Sequence, residues 1–146
     1  MSKPQTYKNH GRMDPMFHYF IVPVLLINVA ASIIWFVRHH AQHHHMAPWY
    51  IVVSVALLML AGITREYALK AQNRVIRLEE KLRIASLVSA SELTELESLT
   101  MKQYIALRFA SNPELPELAQ RAIREKLSAK QIKEAIVVWR PDYDRI

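Results

Sequence analysis

The sequence contains no cysteine and only two glycines in 146 residues. Without cysteine, the chain has no disulfide, no thiolate nucleophile and no cysteine-ligated metal centre. The scarcity of glycine excludes a phosphate-cradling loop, a dinucleotide-binding fingerprint and a Walker motif. The Gly-x-Ser-x-Gly turn of serine hydrolases is also absent. We therefore identify no catalytic residue and no small-molecule substrate, and we interpret the protein as a non-enzyme.

Acidic residues are absent from the whole segment between Phe17 and Arg65, and two apolar runs without any fixed charge lie inside it. At about 1.5 Å per residue, each run has roughly the length needed to cross the ~30 Å hydrocarbon core of a bilayer. We predict transmembrane helices over 16–37 and 47–63. The alternative, two buried helices of a soluble protein, would need a large core from a chain whose other parts are strongly polar.

Basic residues are distributed unevenly around these runs. Three precede the first run, six follow the second between 64 and 83, and only Arg38 lies between the runs. Because lysine and arginine resist translocation, we predict that segment 1–15 and the C-terminus are cytoplasmic, and that the turn 38–46 is periplasmic in a bacterial inner membrane. The net charge of +6 is then expected to attract anionic lipids, and no nucleic-acid-binding motif accompanies it.

The turn is rich in histidine, with five in seven positions: His39, His40, His43, His44 and His45. Imidazole is a common ligand of zinc, copper and nickel, so one interpretation is a weak divalent metal site. The other is that these are interfacial polar residues that end the spans and become charged only in acid. The second is favoured because no carboxylate lies nearby to orient a ligating imidazole.

His18 lies about one turn into the first predicted span. It is a candidate single ligand for a pigment or haem, or a residue that hydrogen-bonds at the lipid interface. A b-type haem needs two axial ligands, and the second span offers no histidine. No cofactor is therefore required by the sequence.

Two features predict packing contacts, either with another helix of this chain or with another subunit. Asn28 lies near the middle of the first span, where a carboxamide should face another helix. Segment 64–90 lacks glycine and proline, so the second helix is expected to continue into the cytoplasm. It carries apolar residues at alternating spacings of three and four, which we call the α2 stripe: Ala68, Ala71, Val75, Leu78, Leu82 and Ala85. So narrow a stripe needs a partner surface, either the domain that follows or another protein, whereas Glu79 and Glu80 are expected on a solvated face.

Capping signals predict a small domain of three helices over 91–146. The helices begin after Thr100, Asn112 and Ser128, and the last ends before Pro141. The tail that follows mixes aromatic and charged residues, and we assign Trp139 and Tyr143 to a docking surface. The predicted fold is thus an all-α membrane protein with a two-helix transmembrane hairpin, a long second helix extending into the cytoplasm and a small C-terminal helical domain.

Four blocks, "QTYKNHGR", "REYALKAQNRVIRLEEKLR", "ALRFASNPELPELAQRAI" and "QIKEAIVVWRPDYDRI", carry a family likeness. The chain resembles a bacterial family of small two-span membrane proteins known only as a domain of unknown function. The likeness extends over nearly the full length, is weak in the spans and does not include the histidine-rich turn. It implies the two-span topology and no catalytic residue.

Three functions are compatible with these observations. The first is a non-catalytic accessory subunit whose hairpin and cytoplasmic domain pack against a larger membrane protein complex, of respiratory or photosynthetic type by analogy. The second is a membrane-tethered metal or pH sensor that uses the histidine cluster. The third is a self-associating homo-oligomeric membrane scaffold.

Overall fold

The computed structural model describes residues 5–7, 9, 11, 13–39 and 46–142. Within these residues the chain forms one π-helical turn and six α-helices, and no strand. The all-α prediction is therefore confirmed for the described part of the chain. The elements are the π-helical turn Phe17–Ile21, α1 Val22–His39, α2 Met46–Ala85, α3 Ala90–Leu96, α4 Met101–Leu107, α5 Leu115–Arg124 and α6 Ala129–Ala135.

The chain divides into two compact units. We call Met13–Leu69 the apolar helix unit, and Met1–Arg12 together with Lys70–Ile146 the helical domain. Helix α2 contributes its N-terminal part to the first and its C-terminal part to the second. Two helical segments, Phe17–His39 and Pro48–Ala85, are long and apolar enough to cross a membrane by length and composition.

The apolar helix unit opens with the π-helical turn because of Pro23. In this turn the N–H of Val22 donates to the carbonyl of Phe17, five residues earlier. Proline has no N–H and its ring crowds the carbonyl four residues before it, so a wider turn relieves the clash. In the described part of this unit, Ser32 and Ser54 are the only buried residues.

Capping boxes start three helices of the helical domain. The side chains of Ser89, Thr100 and Ser128 each accept from the backbone N–H three residues later, and the Glu or Gln at that position accepts in return. The predicted starts after Thr100 and Ser128 are confirmed. The structure differs from the prediction at Ser89, whose capping box begins the additional helix α3, so that α2 ends at Ala85 and four helices follow it.

Helix α5 also begins later than predicted, at Leu115 rather than just after Asn112. The carboxylate of Glu114 accepts from the N–H of Ser111 at 2.8 Å and holds the intervening residues in a turn. Pro116 then lies in the first helical turn, where its missing N–H costs nothing.

The core of the helical domain is built on one side of α2. Its largest fully buried side chains are Ile84, Leu96, Leu107, Phe109, Leu115 and Ile132. Glu80 and Ile76 lie one and two turns before Ile84, respectively, on the same side of α2 and are also buried. The expectation of a solvated Glu80 is wrong, because this carboxylate is only 4% exposed.

Candidate interaction sites

A polar cluster joins α1 to α2 inside the apolar helix unit. The hydroxyl oxygens of Ser32 and Ser54 are 2.8 Å apart, and the Ser54 hydroxyl lies 2.7 Å from the carbonyl oxygen of Tyr50. Oδ1 of Asn28 is 3.1 Å from the Ser54 hydroxyl and 3.4 Å from that of Ser32. Two hydroxyl protons cannot serve all four contacts at once. The contact between the two hydroxyls is shorter than either contact with Asn28. The carboxamide faces both hydroxyls with its oxygen end.

Only Oδ1 of Asn28 takes part in this cluster, and the residue is exposed in the structure. A carboxamide carries two donors at one end and two acceptor lone pairs at the other. Among the described residues, only Ser32 and Ser54 hydrogen-bond to it. The structure therefore leaves one polar end of Asn28 available on the outer surface of α1.

Aromatic contacts connect the other end of the two helices. Trp35 of α1 meets Tyr50 of α2 edge to face, with ring centroids 5.2 Å apart. Trp35 also stacks on His39 at 5.3 Å, and Nδ1 of His39 is 3.1 Å from the Trp35 carbonyl oxygen. Because a carbonyl oxygen can only accept, Nδ1 donates in this bond, and in the neutral ring Nε2 is then the nitrogen with the lone pair.

The predicted metal cluster is only partly described. His39 lies at the end of α1, whereas His40, His43, His44 and His45 fall outside the described residues. In the ranges that the structure covers, no three potential metal-ligating side chains come together. The metal site remains a prediction.

His18, the candidate cofactor ligand, lies in the π-helical turn. Its Nδ1 is 2.9 Å from the carbonyl oxygen of Asp14, and its ring meets Phe17 edge to face at 5.2 Å. The guanidinium of Arg65 in α2 lies over the Phe17 ring, 5.4 Å from the ring centroid. The imidazole thus donates to a carbonyl one turn earlier in its own segment, and a cofactor contact stays a prediction.

The α2 stripe is exposed over most of its length. Val75, Leu78 and Leu82 are 54%, 60% and 66% exposed, respectively. Ala71 and Ala85 are also exposed, and Ala68 is half-buried. The helical domain packs instead on the side of α2 that carries Ile76, Glu80 and Ile84. No described residue of the protein covers the stripe from Val75 to Leu82.

Glu80 is the centre of a charged network beside this core. Its carboxylate oxygens lie 3.0 Å from Nη1 of Arg83 and 3.4 Å from Nη1 of Arg140. Burial raises the pKa of Glu80, although Arg83 and Arg140 oppose the shift. Burial likewise lowers the pKa of Arg83. Arg83 also donates to the Ala110 carbonyl at 2.6 Å and to Oδ1 of Asn112 at 2.8 Å.

A second part of the network holds the two chain ends. Arg108 is buried, and its Nε lies 3.1 Å from a carboxylate oxygen of Asp142. Oε1 of Gln5 accepts from the backbone N–H of Asp142 at 2.8 Å, and Nε2 of Gln5 donates to its carbonyl at 3.3 Å. A groove of about 600 Å³ lies along Glu80, Arg108 and Asp142. Sequence reasoning missed these contacts, because the paired residues are 34 to 137 positions apart.

The two aromatic residues assigned to the tail have different outcomes. Trp139 is half-buried and packs on Phe109, with ring centroids 5.0 Å apart. The backbone beside it is fixed by a hydrogen bond of 2.8 Å from the Arg140 N–H to the Phe109 carbonyl. A partner contact for Trp139 stays a prediction, and Tyr143 lies outside the described residues.

Comparison with known proteins bears on the chain as a whole. No curated protein and no solved structure matches it. One family profile, described as "Family of unknown function (DUF6526)", matches residues 1–146. The chain therefore belongs to this family of unknown function.

Proposed function

We propose that the protein is a non-catalytic accessory subunit of a larger membrane protein complex. In this proposal α1 and the apolar part of α2 form a transmembrane hairpin in a bacterial inner membrane. Both termini and the helical domain are cytoplasmic, and the histidine-rich turn is periplasmic. The hairpin packs beside a larger membrane protein, and the helical domain extends the contact into the cytoplasm.

The burial pattern supports the membrane part of the proposal. Only 6% of the most apolar window of each long helix is buried within the structure. A core helix of a soluble protein would be mostly buried, since exposed apolar surface is costly in water. The contacts Phe17 to Arg65, Ser32 to Ser54 and Trp35 to Tyr50 follow an antiparallel order, as a hairpin requires.

The observation that carries the accessory role is the outward end of the Asn28 carboxamide. In hydrocarbon there is no water to satisfy a donor or acceptor, so polar side chains in spans pair with other helices. Within the hairpin, Ser32 and Ser54 use only one end of this group. A polar group on a neighbouring transmembrane helix would satisfy the other end and fix the position of the hairpin in the complex.

Native extraction tests this proposal. The protein is extracted from its own membrane into lipid nanodiscs, and the mass and composition of the particle are measured. We expect wild-type particles to contain other membrane proteins, and Asn28→Leu to lower their recovery by about tenfold, the effect of losing ~1–2 kcal/mol of interhelical hydrogen bonding.

Two control variants separate the surfaces. Ser54→Ala disrupts the same cluster but keeps the outward carboxamide, and Ile27→Leu changes a neighbouring side chain that is 68% exposed. Both should retain the other proteins. Particles that contain only this chain, or recovery of the protein in the soluble fraction without detergent, would refute the accessory role.

A metal-responsive role is the second candidate, and the geometry at His39 favours it. The Trp35 carbonyl accepts from Nδ1, so that in the neutral ring Nε2 is the nitrogen able to bind a metal, which is how ligating histidines are usually oriented. Copper(II) titration of the full chain in nanodiscs tests this role. The role is supported if His39→Gln weakens copper binding and if replacing all five turn histidines by glutamine abolishes it. Equal binding by the wild type and both variants refutes the role.

A further inference from the structure

The segment of α2 inside the helical domain has an apolar surface that the described residues of the protein leave open. Val75, Leu78 and Leu82 form this surface, which we call the Val75–Leu82 surface. All three side chains are more than half exposed. Basic and acidic residues lie on both flanks, including Arg74, Arg77 and Glu79, which are exposed as well. A segment with this charge density lies in water and not in hydrocarbon. Its apolar side chains therefore need a covering surface, which they would not need in hydrocarbon.

We propose that the Val75–Leu82 surface binds the same surface of a second copy of this chain, with the two α2 helices parallel and in register. This inference rests on the proposed function in one respect. Two copies inserted in the same membrane have the same orientation, so their α2 helices run in the same direction. The pair would be the form in which the subunit joins its complex.

The spacing of the apolar residues fits a two-stranded coiled coil. Val75 and Leu82 are seven residues apart and take position a of the heptad, and Leu78 takes position d between them. Val75 at a with Leu78 at d is the combination of a β-branched residue and leucine that favours parallel dimers, and Leu82, which is not β-branched, extends the seam at the next a position. Ala71 and Ala85 take the adjoining d positions and allow close approach at either end.

Charge complementarity selects a second copy over other occupants. In this register Arg74 is at position g and Glu79 is at the following position e. In a parallel pair, each g residue lies beside the next e residue of the partner helix. Arg74 of each copy therefore meets Glu79 of the other, which gives two attractive pairs by symmetry. An antiparallel pair would instead bring Arg74 close to Lys81, the next g residue, and would repel.

The packing of the helical domain leaves room for this pairing. The domain covers the side of α2 with Ile76, Glu80 and Ile84, which are at heptad positions b, f and c. At about 100° per residue, this side is nearly opposite the a and d positions. The second copy would therefore approach a face that α3 to α6 do not occupy.

Disulfide cross-linking tests the pairing directly, because the natural chain contains no cysteine. Leu78→Cys is made in the full chain, reconstituted in vesicles and oxidised. In a parallel in-register pair this d residue meets its own copy, so we expect a disulfide-linked dimer. Arg77→Cys is the matched control, since it is one residue away, exposed and at position c. It should give several-fold less dimer.

A charge reversal gives the second measurement. Glu79→Arg should lower the dimer yield of Leu78→Cys on the order of tenfold, and Arg74→Glu added to it should restore the yield. Absence of a dimer from Leu78→Cys, equal yields from both cysteine positions, or no restoration by the double reversal would overturn the inference. Cross-linking only to a chain of different mass would also overturn it.

These outcomes are independent of the test of the proposed function. Native particles that contain other membrane proteins but give no Leu78→Cys dimer would leave the accessory role intact and remove the homotypic pair. A cross-linked dimer in native particles that contain no other protein would support the homotypic pair and refute the accessory role.

Discussion

The two units of this protein bury opposite kinds of residue. In the apolar helix unit, the described residues that are buried are two serines, Ser32 and Ser54, while Ile27 and many other large apolar side chains are exposed. In the helical domain the buried residues are mainly apolar, such as Phe109 and Ile132. Water drives apolar groups inside, whereas hydrocarbon drives polar groups together. Under the proposed membrane placement, the two units are adapted to different solvents: lipid for the apolar helix unit and water for the helical domain.

Helix α2 belongs to both units, so the change occurs along one continuous element. Its N-terminal part exposes apolar residues on most sides and buries Ser54. Its C-terminal part buries Ile76 and Ile84 and exposes charged residues. The exception is the Val75–Leu82 surface, which is apolar and exposed in the unit adapted to water. That exception is what points to a second copy.

The largest expected effect tests the water-adapted side of this comparison. Phe109→Ala removes a side chain with no exposed surface, and we expect the free energy of unfolding of the helical domain to fall by about 3–5 kcal/mol. Urea titration of the full chain in detergent, followed by hydrogen exchange of α4 and α6, measures it. The matched change Phe20→Ala, at a residue 59% exposed, should leave this exchange unchanged. Equal losses from both variants would contradict the comparison.

A smaller effect is expected on the lipid-adapted side. Ser54→Ala removes the 2.8 Å contact with Ser32, and we expect the pairing of α1 with α2 to weaken by about 1 kcal/mol. The pairing is read from denaturation of the full chain in mixed micelles with increasing SDS fraction. Combining it with Ser32→Ala in a double-mutant cycle should show strong coupling. Additive effects would mean that the serines do not interact across the two helices.

The smallest effect concerns pH and the charged network. Burial raises the folded-state pKa of Glu80 above its ordinary value of 4.5. The folded state then binds more protons than the unfolded state, so the free energy of unfolding should fall as pH rises from about 4.5 to the folded-state pKa. Glu80→Gln should flatten this part of the profile. Glu79→Gln, a change at an exposed neighbour, should leave the profile as it is. If Glu80→Gln also left the profile unchanged, this explanation would be refuted.

The helix starts that could be predicted from the sequence depend on local signals. Thr100 and Ser128 were recognised because a cap and its Gln partner lie within one turn. The same signal is present at Ser89 and Glu92, and it was missed because the residues before it continue a helical pattern without glycine or proline. The start of α5 was misplaced because Asn112 and Pro113 also suit the turn that Glu114 stabilises.

The candidate interaction sites were predictable to different extents. Asn28 could be singled out because a carboxamide in an apolar run is unusual in any fold. Its use of Ser32 and Ser54 could not, since the contact depends on how α1 and α2 approach each other. The contact of Glu80 with Arg140 was invisible in the same way, because the two residues are 60 positions apart in the chain.

The sequence by itself determined that the chain is helical, where two long apolar helices lie and where α4 and α6 begin. These features follow from composition and from contacts between residues less than five positions apart. Only the tertiary structure decided which side of α2 is covered, that Glu80 is buried and that the Val75–Leu82 surface is left open. The physical reason is that one helix offers several faces of similar character, and long-range packing selects the face that is buried.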